Sequence, residues 1–330
     1  MFRIWGVVLP GKLHGFKKMV EEKNQVGEVG HSELIVIVGP TASGKTRLAV
    51  EVAGKLNGAV ISADSRQVYR GMDIGTGKDL DDYGEIPYYL IDIRAAGDTY
   101  DVSQYRRDVD LALHDIRLLG KRPIMCGGTG LYIQSVLQPF EYSHVPIDTL
   151  LRGRLEQMST DKLFGILSAL PLPSRFKPDT STRKRLIRAI EISVWCRDRV
   201  DLGHRFPAVP AMIFGVDPPV EVRRKRITER LQTRLRQGLI AEVDELLKRG
   251  VSSDRLLYYG LEYKYVTRYL AGELDYDTFF GRLNTEIHRF AKRQMTYFRK
   301  MEKDGLRIHW LSHGSTSDMA AELMAAINEK

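Results

Sequence analysis

The sequence is poor in cysteine and lacks long apolar runs, and each absence excludes a class of protein. Two cysteines in 330 residues cannot build a disulfide framework or a thiolate zinc site, which fits a reducing compartment. No stretch approaches about 18 unbroken apolar residues, so a transmembrane helix is excluded. No internal repeat or low-complexity segment is visible. We expect a cytoplasmic protein that does not enter membranes, and we take it to be a monomer.

The composition is that of an ordinary folded protein with a localised basic excess. With 43% hydrophobic and 28% charged residues, the chain is too apolar to be disordered. Its formal net charge is +8, and residues 181–300 hold 25 Lys and Arg against 15 Asp and Glu. Such a region can be a set of solvated helix faces or a surface that binds a polyanion. The tight basic clusters within it favour the polyanion.

Short apolar runs alternate with helical patterns along much of the chain. The run at 33–39 ends in Gly-Pro and is typical of a buried parallel strand. Further strands and the helices between them are predicted in the same way, the strands at 59–63, 88–93, 122–126 and 211–216 and the helices at 44–57 and 102–119. This alternation predicts an α/β fold with a doubly wound parallel sheet.

About 70 residues separate the fourth and fifth predicted strands. We interpret this stretch, 141–210, as a helical insertion domain with helices at 150–169 and 181–198. The core then comprises 33–140 and 211–330, and residues 1–32 form a poorly patterned N-terminal extension. After position 217 the chain is predicted to be helical to its end, with helices at 219–237, 239–249, 259–271, 275–302 and 316–329.

A phosphate-binding motif follows the first predicted strand and opens a helix. The segment Gly39-Pro-Thr-Ala-Ser-Gly-Lys-Thr46 matches G-x-x-x-x-G-K-[ST] in its required context. Its glycines let backbone N–H groups close on phosphate oxygens, Lys45 adds a charge, and Thr46 offers a hydroxyl ligand to Mg²⁺. The motif predicts a site for a diphosphate or triphosphate but not nucleotide hydrolysis. Its residues are Gly39, Pro40, Thr41, Ala42, Ser43, Gly44, Lys45 and Thr46.

Two aspartates lie in or just after predicted strands. On spacing alone, Asp64 fits a Mg²⁺ ligand and a catalytic base equally well. Asp92 lies inside an apolar run, and we interpret it as a structural or capping carboxylate.

Several segments together resemble the tRNA dimethylallyltransferases, or isopentenyl-diphosphate:tRNA transferases. They occur in the family's order and cover about residues 34–311. The phosphate loop is common to many proteins, whereas the segments at 64–69, 127–132 and 291–299 are more specific. Beyond the phosphate loop the segments are Asp64-Ser-Arg-Gln-Val-Tyr69, Gly71-Met-Asp-Ile-Gly-Thr-Gly-Lys78, Gly127-Gly-Thr-Gly-Leu-Tyr132, Arg185-Leu-Ile-Arg-Ala-Ile-Glu191 and Ala291-Lys-Arg-Gln-Met-Thr-Tyr-Phe-Arg299.

The resemblance implies a P-loop fold and a specific reaction. The exocyclic amine of adenine at tRNA position 37 attacks the first carbon of dimethylallyl diphosphate, and pyrophosphate leaves. By resemblance, Asp64 is the general base and Thr129 lies near the reacting centre. Lys45 and Arg230 stabilise the diphosphate, and Thr46 binds the Mg²⁺ cofactor. The implied partners are dimethylallyl diphosphate and the tRNA anticodon stem-loop, with the adenine flipped from its stack.

The predicted tRNA interface combines the Asp64 segment with the basic clusters, because RNA loops are recognised by stacking, edge hydrogen bonds and phosphate contacts. In the last long helix, Lys292 and Arg293 fall on a phosphate-facing side, while Phe290, Ala291 and Phe298 turn inward. The full predicted interface is Asp64, Ser65, Arg66, Gln67, Arg152, Lys184, Arg185, Arg188, Tyr263, Lys264, Lys292, Arg293, Gln294 and Arg299.

The chain departs from the family pattern at a few positions. Glu262 stands where the family usually has glycine, in a segment expected near tRNA, and Gly77 stands where it usually has alanine. Tyr88 and the segment 287–289 also differ. No Cys/His pair of zinc-finger spacing follows the catalytic region in this sequence, so we expect no zinc site like that of some relatives.

Three other functions stay open from the sequence. An adenylate isopentenyltransferase would perform the same chemistry on a free nucleotide, but a mononucleotide does not need so wide a basic surface. A small-molecule P-loop kinase would need a base pocket and an Arg-rich lid, which the insertion could supply, and ATP turnover would identify it. A non-catalytic RNA-binding protein conflicts with the intact Lys45, Thr46 and Asp64.

Overall fold

The chain divides into two compact units in the computed structural model. The model describes residues 2–4, 7–9, 33–139, 142, 145–173, 176–197 and 206–329. The larger unit comprises Met1–Leu137 and Val209–Lys330, and the smaller one is Gln138–Ala208. The insertion domain was placed by sequence at 141–210, nearly the range of the smaller unit.

One eight-stranded sheet organises the larger unit. Its strands are Phe2–Ile4 (β1), Val7–Leu9 (β2), Leu34–Val38 (β3), Gly58–Ser62 (β4), Tyr88–Tyr89 (β5), Arg122–Gly127 (β6), Ala211–Gly215 (β7) and Ile308–Trp310 (β8). Their order is β1-β2-β5-β4-β6-β3-β7-β8. Neighbouring strands pair in parallel along the run β5-β4-β6-β3-β7-β8, which contains six strands. Strand β2 pairs antiparallel with both β1 and β5. The predicted α/β fold with a parallel sheet is thereby confirmed.

Strand β3 shows that the sheet is covered on both faces. Leu34, Val36 and Val38 belong to one apolar core, while Ile35 and Ile37 belong to a second. All five side chains are fully buried. Successive side chains of a strand point to opposite faces, so a continuous apolar run is what a doubly covered strand requires.

Twelve α-helices are seen in the described residues. The larger unit contains Lys45–Lys55 (α1), Val102–Leu118 (α2), Gly130–Leu137 (α3), Val220–Arg236 (α7), Leu239–Lys248 (α8), Ser253–Tyr258 (α9), Leu261–Leu270 (α10), Tyr276–Lys303 (α11) and Thr316–Asn328 (α12). The smaller unit contains Thr149–Glu156 (α4), Thr160–Ala169 (α5) and Arg183–Arg197 (α6). Within the described part of the chain, no helix has the length and apolarity to cross a bilayer.

The predicted strand at 88–93 is wrong beyond its second residue. Leu90 and Asp92 adopt positive φ angles of 63° and 59°, which lie outside the extended region and end β5. This turn directs the Asp92 carboxylate to the buried ammonium of Lys78, which also donates to the Tyr69 carbonyl at 2.7 Å. The structural role inferred for Asp92 is therefore correct.

Three further predictions need correction. The single helix expected at 150–169 is two helices, because Ser159 caps α5 by accepting a hydrogen bond from the Lys162 N–H. The region after 217 is not wholly helical, since β8 pairs with β7 at the sheet edge. The N-terminal extension contains the strand pair β1 and β2, and its residues 10–32 lie outside the described residues.

Candidate active site

The phosphate loop joins β3 to α1 and has the backbone geometry of an anion site. Ala42 and Gly44 have positive φ angles of 60° and 92°, and alternation of this kind turns successive N–H groups toward one point. Gly44 is the N-cap of α1, so no capping side chain covers the first turn. The Lys45 ammonium donates to the Pro40 carbonyl at 3.4 Å, and burial lowers the pKa of this lysine. An anion here would meet backbone donors and a desolvated cation.

Asp64 stands just past the end of β4, beside the loop that follows β6. Its Oδ1 accepts a hydrogen bond from the Arg66 N–H at 2.9 Å, which fixes the carboxylate in a tight turn. Thr129 Oγ1 accepts from the Ser65 N–H at 3.1 Å, and the Thr129 N–H donates to the Ala63 carbonyl at 3.1 Å. β4 and β6 are parallel neighbours, so their carboxyl ends bring these loops together.

A cavity of about 540 Å³ connects the phosphate loop to Asp64. The predicted catalytic set lines it together: Lys45, Asp64, Thr129 and Arg230. Predicted contact residues Ser65, Arg66, Gln67, Tyr263, Lys264, Arg293 and Gln294 line it too. Its volume and its mixture of apolar walls with a few convergent polar groups are typical of a small-ligand site.

Gln294 joins two loops of this cavity. Its Oε1 accepts from the Thr41 N–H at 2.9 Å, and its Nε2 donates to the Gly128 carbonyl at 3.0 Å. The side chain lies on α11 and is 8% exposed. The amide of Gln294 thus binds the phosphate loop to the loop after β6, and its contact with tRNA stays a prediction.

The side chains of Gln67 and Arg66 point in different directions from the turn that contains both residues. The Gln67 Oε1 accepts from the Ser62 hydroxyl at 2.8 Å, and its Nε2 donates to the Gly77 carbonyl at 3.1 Å. Arg66 instead lies over the Tyr258 ring, with its guanidinium carbon 5.3 Å from the ring centre. Gln67 therefore supports the site's architecture, while Arg66 lies against an exposed aromatic ring, and the contact of either residue with tRNA stays a prediction.

The loop at 71–78 is fastened to α8 by a carboxylate that sequence reasoning missed. Glu242 accepts hydrogen bonds from the N–H groups of Asp73 at 2.8 Å, Ile74 at 2.7 Å and Gly75 at 3.0 Å. It also accepts from the Tyr263 hydroxyl at 2.7 Å. Tyr263 is only 1% exposed and anchors this loop, and its contact with tRNA stays a prediction. No local pattern distinguishes Glu242 from other helix glutamates.

Two arginines of α7 reach the cavity. Arg230 donates to the Thr41 hydroxyl at 3.4 Å and lies 3.1 Å from the Asp79 carboxylate. Arg234, which sequence reasoning also missed, is 8% exposed and donates to the Gly75 carbonyl at 3.3 Å. Burial, followed by the charge of Arg230, lowers the pKa of Arg234 to about 10. Its position four residues after Arg230 was an available signal, because such residues share a helix face.

The outer face of α11 is basic and lies beside the cavity mouth. Lys292, Arg293 and Arg299 are exposed. Phe290, expected to turn inward, is 40% exposed and lies 5.8 Å below the Arg293 guanidinium. Lys264 of α10 is exposed as well. Exposed aromatic and basic groups thus occur together here, a combination typical of surfaces that bind unstacked nucleotides.

Four predicted contact residues belong to the smaller unit. Arg152 donates to the buried Glu191 carboxylate through two nitrogens, at 2.9 and 2.6 Å. Arg188 lies 3.3 Å from the same carboxylate. These two arginines therefore neutralise an internal charge, whereas Lys184 and Arg185 are exposed. The contact of all four residues with tRNA stays a prediction.

The cavity offers oxygen ligands, although no protein-only metal centre is present among the described residues. No group of three His, Cys, Asp or Glu side chains there could hold an ion. Thr46 and Asp64 nevertheless present oxygens to the cavity. Mg²⁺ usually keeps several waters and binds one or two protein oxygens together with substrate phosphates. The donor set therefore fits a Mg²⁺ ion that arrives with a diphosphate.

Comparison with known proteins gives a consistent result. The IPP transferase family model matches residues 67–301, and the isopentenyl transferase model matches residues 32–87. The chain is 50% identical to tRNA dimethylallyltransferase 1 of Porphyromonas gingivalis over 282 residues, covering 84% of this chain and 93% of the relative. It is 49% identical to tRNA dimethylallyltransferase 2 of Bacteroides fragilis over 283 residues, covering 84% and 92%.

A solved structure agrees with these sequence matches. The crystal structure of the tRNA isopentenylpyrophosphate transferase from Staphylococcus epidermidis resembles this chain with a TM-score of 0.65 and 32% identity. The match covers 90% of this chain and 98% of that one.

Proposed function

This chain belongs to the tRNA dimethylallyltransferase family, and from that membership we propose how its cavity transfers a dimethylallyl group to tRNA. The exocyclic N6 of adenine 37 attacks C1 of dimethylallyl diphosphate. The bond between C1 and the diphosphate oxygen breaks, its electron pair leaves with pyrophosphate, and one N6 proton passes to Asp64. The observation that supports this best is the single cavity that joins the phosphate loop to the Asp64 carboxylate.

The diphosphate occupies the phosphate loop. Backbone N–H groups at the start of α1 face the phosphate oxygens, and Lys45 and Arg230 balance their charge as the leaving group forms. These groups are held before the substrate arrives, so little reorganisation accompanies bond cleavage. A Mg²⁺ ion bound with the diphosphate would add Lewis-acid stabilisation, and Thr46 would supply its protein oxygen.

Asp64 acts as the general base on the acceptor amine. N6 becomes cationic as the new C–N bond forms, so even a weakly basic carboxylate can accept its proton. The Arg66 N–H fixes the carboxylate, and Thr129 fixes the turn through the Ser65 N–H. The Thr129 side chain lines the same cavity, which supports the position near the reacting centre that the family resemblance implies. The Arg66 N–H and Thr129 therefore orient the Asp64 carboxylate and the acceptor amine.

The anticodon stem-loop is the tRNA region that fits this surface. Its loop is single-stranded, and an unpaired adenine leaves its stack at a cost of only a few kcal/mol. Phe290, which lines the cavity, and the exposed Tyr258 offer faces for stacking, and Lys292, Arg293 and Arg299 offer charges to backbone phosphates. The base enters the cavity while the loop rests on α11.

The direct test is mass spectrometry of nucleosides after incubation with Mg²⁺, dimethylallyl diphosphate and unmodified tRNA with adenine at positions 36 and 37. We expect one dimethylallyl group on one adenosine. A matched tRNA with guanosine at position 37 should give no product. Parallel incubations contain AMP or ATP. Prenylation of the free nucleotide, or consumption of ATP without a prenylated product, would contradict the proposal.

A further inference from the structure

We propose that Arg234 is a second diphosphate-binding arginine of this cavity. Gly77 leaves the space that its guanidinium occupies, and Glu262 holds the guanidinium by an ion pair. The inference rests on the proposed function, since it requires the diphosphate to occupy the phosphate loop. It adds a substrate-binding residue that the phosphate motif and the resemblance do not contain.

The position of Arg234 on α7 brings it beside Arg230. Residues four apart are neighbours on a helix face, and two like charges at that spacing repel each other. Both guanidiniums nevertheless reach the cavity that contains Lys45. Burial of Arg234 with a second arginine beside it is unfavourable without an anion. Glu262 and Asp79 each face one of the two arginines and offset only part of the charge of the three cations, so the cluster can still take up an anion.

Gly77 makes room for both guanidiniums. Its φ angle is +59°, a conformation that side chains rarely adopt. A Cβ built there would lie 1.6 Å from Arg234 Nη2 and 2.2 Å from Arg230 Nη2. The surrounding loop cannot easily retreat, because Glu242 holds it through three backbone N–H groups. Any larger residue at position 77 would therefore displace at least one guanidinium.

Glu262 supplies the counter-charge that keeps Arg234 in place. Its carboxylate lies 3.5 Å from Arg234 Nη1 and lines the same cavity. The family resemblance predicts that the segment containing Glu262 lies near tRNA, but in the structure the Glu262 carboxylate pairs with Arg234. Gly77 and Glu262, two departures from the family pattern, thus meet at one guanidinium. Together they build one feature of the diphosphate site.

The chemical consequence is a preference for diphosphate. A guanidinium presents a planar fork of donors that pairs with two phosphate oxygens at once. With Arg230 and Arg234 side by side, the site offers two such forks beside the Lys45 ammonium. Inorganic pyrophosphate can engage both forks, whereas orthophosphate spans only part of the cluster. We therefore expect the contribution of Arg234 to be larger for pyrophosphate.

The test is calorimetric binding of inorganic pyrophosphate with Mg²⁺ to the full chain. Arg234→Gln should weaken binding about 10- to 100-fold, the usual effect of losing a charge-assisted contact. Orthophosphate binding should change much less. The kcat/KM for dimethylallyl diphosphate should fall in parallel, with the KM for tRNA unchanged. Arg236→Gln is the matched control, because Arg236 is exposed on the same helix. This variant should bind pyrophosphate as tightly as the wild-type protein.

A second variant tests the geometry independently. Gly77→Ala should also weaken pyrophosphate binding, and it should add little to Arg234→Gln because the displaced group is already gone. Full additivity of the two substitutions, or wild-type pyrophosphate affinity in Arg234→Gln, would overturn the inference. Lys45→Met separates this failure from that of the proposed function. If Lys45→Met loses pyrophosphate binding and Arg234→Gln keeps it, only the inference about Arg234 fails. If the wild-type protein does not bind pyrophosphate, both the inference and the proposed function fail.

Discussion

The residues of this site fall into two groups according to their hydrogen-bond partners. Gln294 and Gln67 use both ends of their amides on neighbouring protein groups, so they hold the cavity's shape. Lys45 and Asp64 make local contacts and still face the cavity, where a ligand can reach them. The first group positions loops, and the second is open to a ligand, as the proposed function requires.

Asp64→Asn should impair chemistry and spare substrate binding. The amide keeps the shape and the acceptor oxygen that meets the Arg66 N–H, but it cannot take the N6 proton. We expect the single-turnover rate to fall by about 10²- to 10⁴-fold. Pyrophosphate affinity, measured by calorimetry, should stay within about threefold of wild type, since loss of general-base catalysis acts on the chemical step. A nearly unchanged single-turnover rate would remove Asp64 as the base.

At the scale of one element, α11 divides its surface between the protein and the solvent. Ala291, Gln294, Met295 and Phe298 are buried on one side. The opposite side carries the exposed cations of the long helix. This division follows from helical periodicity, because residues three and four apart fall on one face. The same helix can therefore fix the phosphate loop from within and meet a polyanion from without.

Removal of the basic side of α11 should weaken tRNA binding and reduce its salt dependence. The double variant Lys292→Ala with Arg293→Ala removes two charges that release counterions from phosphates. The slope of log K against log salt should fall by about 1–2. Titrations at several salt concentrations measure this slope. Arg282→Ala, an exposed change near the other end of α11, is the control. An unchanged slope in the double variant would leave that face without an RNA contact.

At the scale of the whole molecule, the ligand-free site costs stability that the ligand restores. Burial holds the pKa of Lys45 below its ordinary value, which means that its charged form is less favourable in the folded protein than in the unfolded chain. The penalty is present in full wherever the lysine is charged in both states. It declines as the pH rises through the folded-state pKa. Arg230 and Arg234 add to the same penalty.

Lys45→Met should therefore stabilise the ligand-free protein while abolishing transfer. We expect the unfolding temperature to rise by roughly 1–3 °C without ligand. Pyrophosphate at about 100 times its Kd should stabilise wild-type protein by about 2.7 kcal/mol and should leave the variant unchanged. Thermal unfolding with and without pyrophosphate checks both. A lower unfolding temperature in the ligand-free variant would show that Lys45 stabilises the empty fold.

Sequence alone was sufficient wherever a short segment carries its own physical signal. The phosphate loop lies between a strand and a helix because consecutive residues determine that turn, and the apolar run of β3 predicts a strand covered on both faces. The resemblance identified the reaction, and the role of Asp64 as the base stays a prediction. The monomeric state, the Mg²⁺ cofactor and the cytoplasmic location stay predictions.

Tertiary structure alone decided the contacts between residues distant in the chain. Glu242 has its partners about 170 positions away at Asp73, and Gln294 binds Thr41 from a separation of 253 residues. Pairing with β7 creates β8, although three residues carry too little pattern to predict a strand. Arg234 belongs to the site only because α7, α10 and the Gly77 loop meet there. Local propensity acts over a few residues, whereas these contacts depend on how whole elements pack.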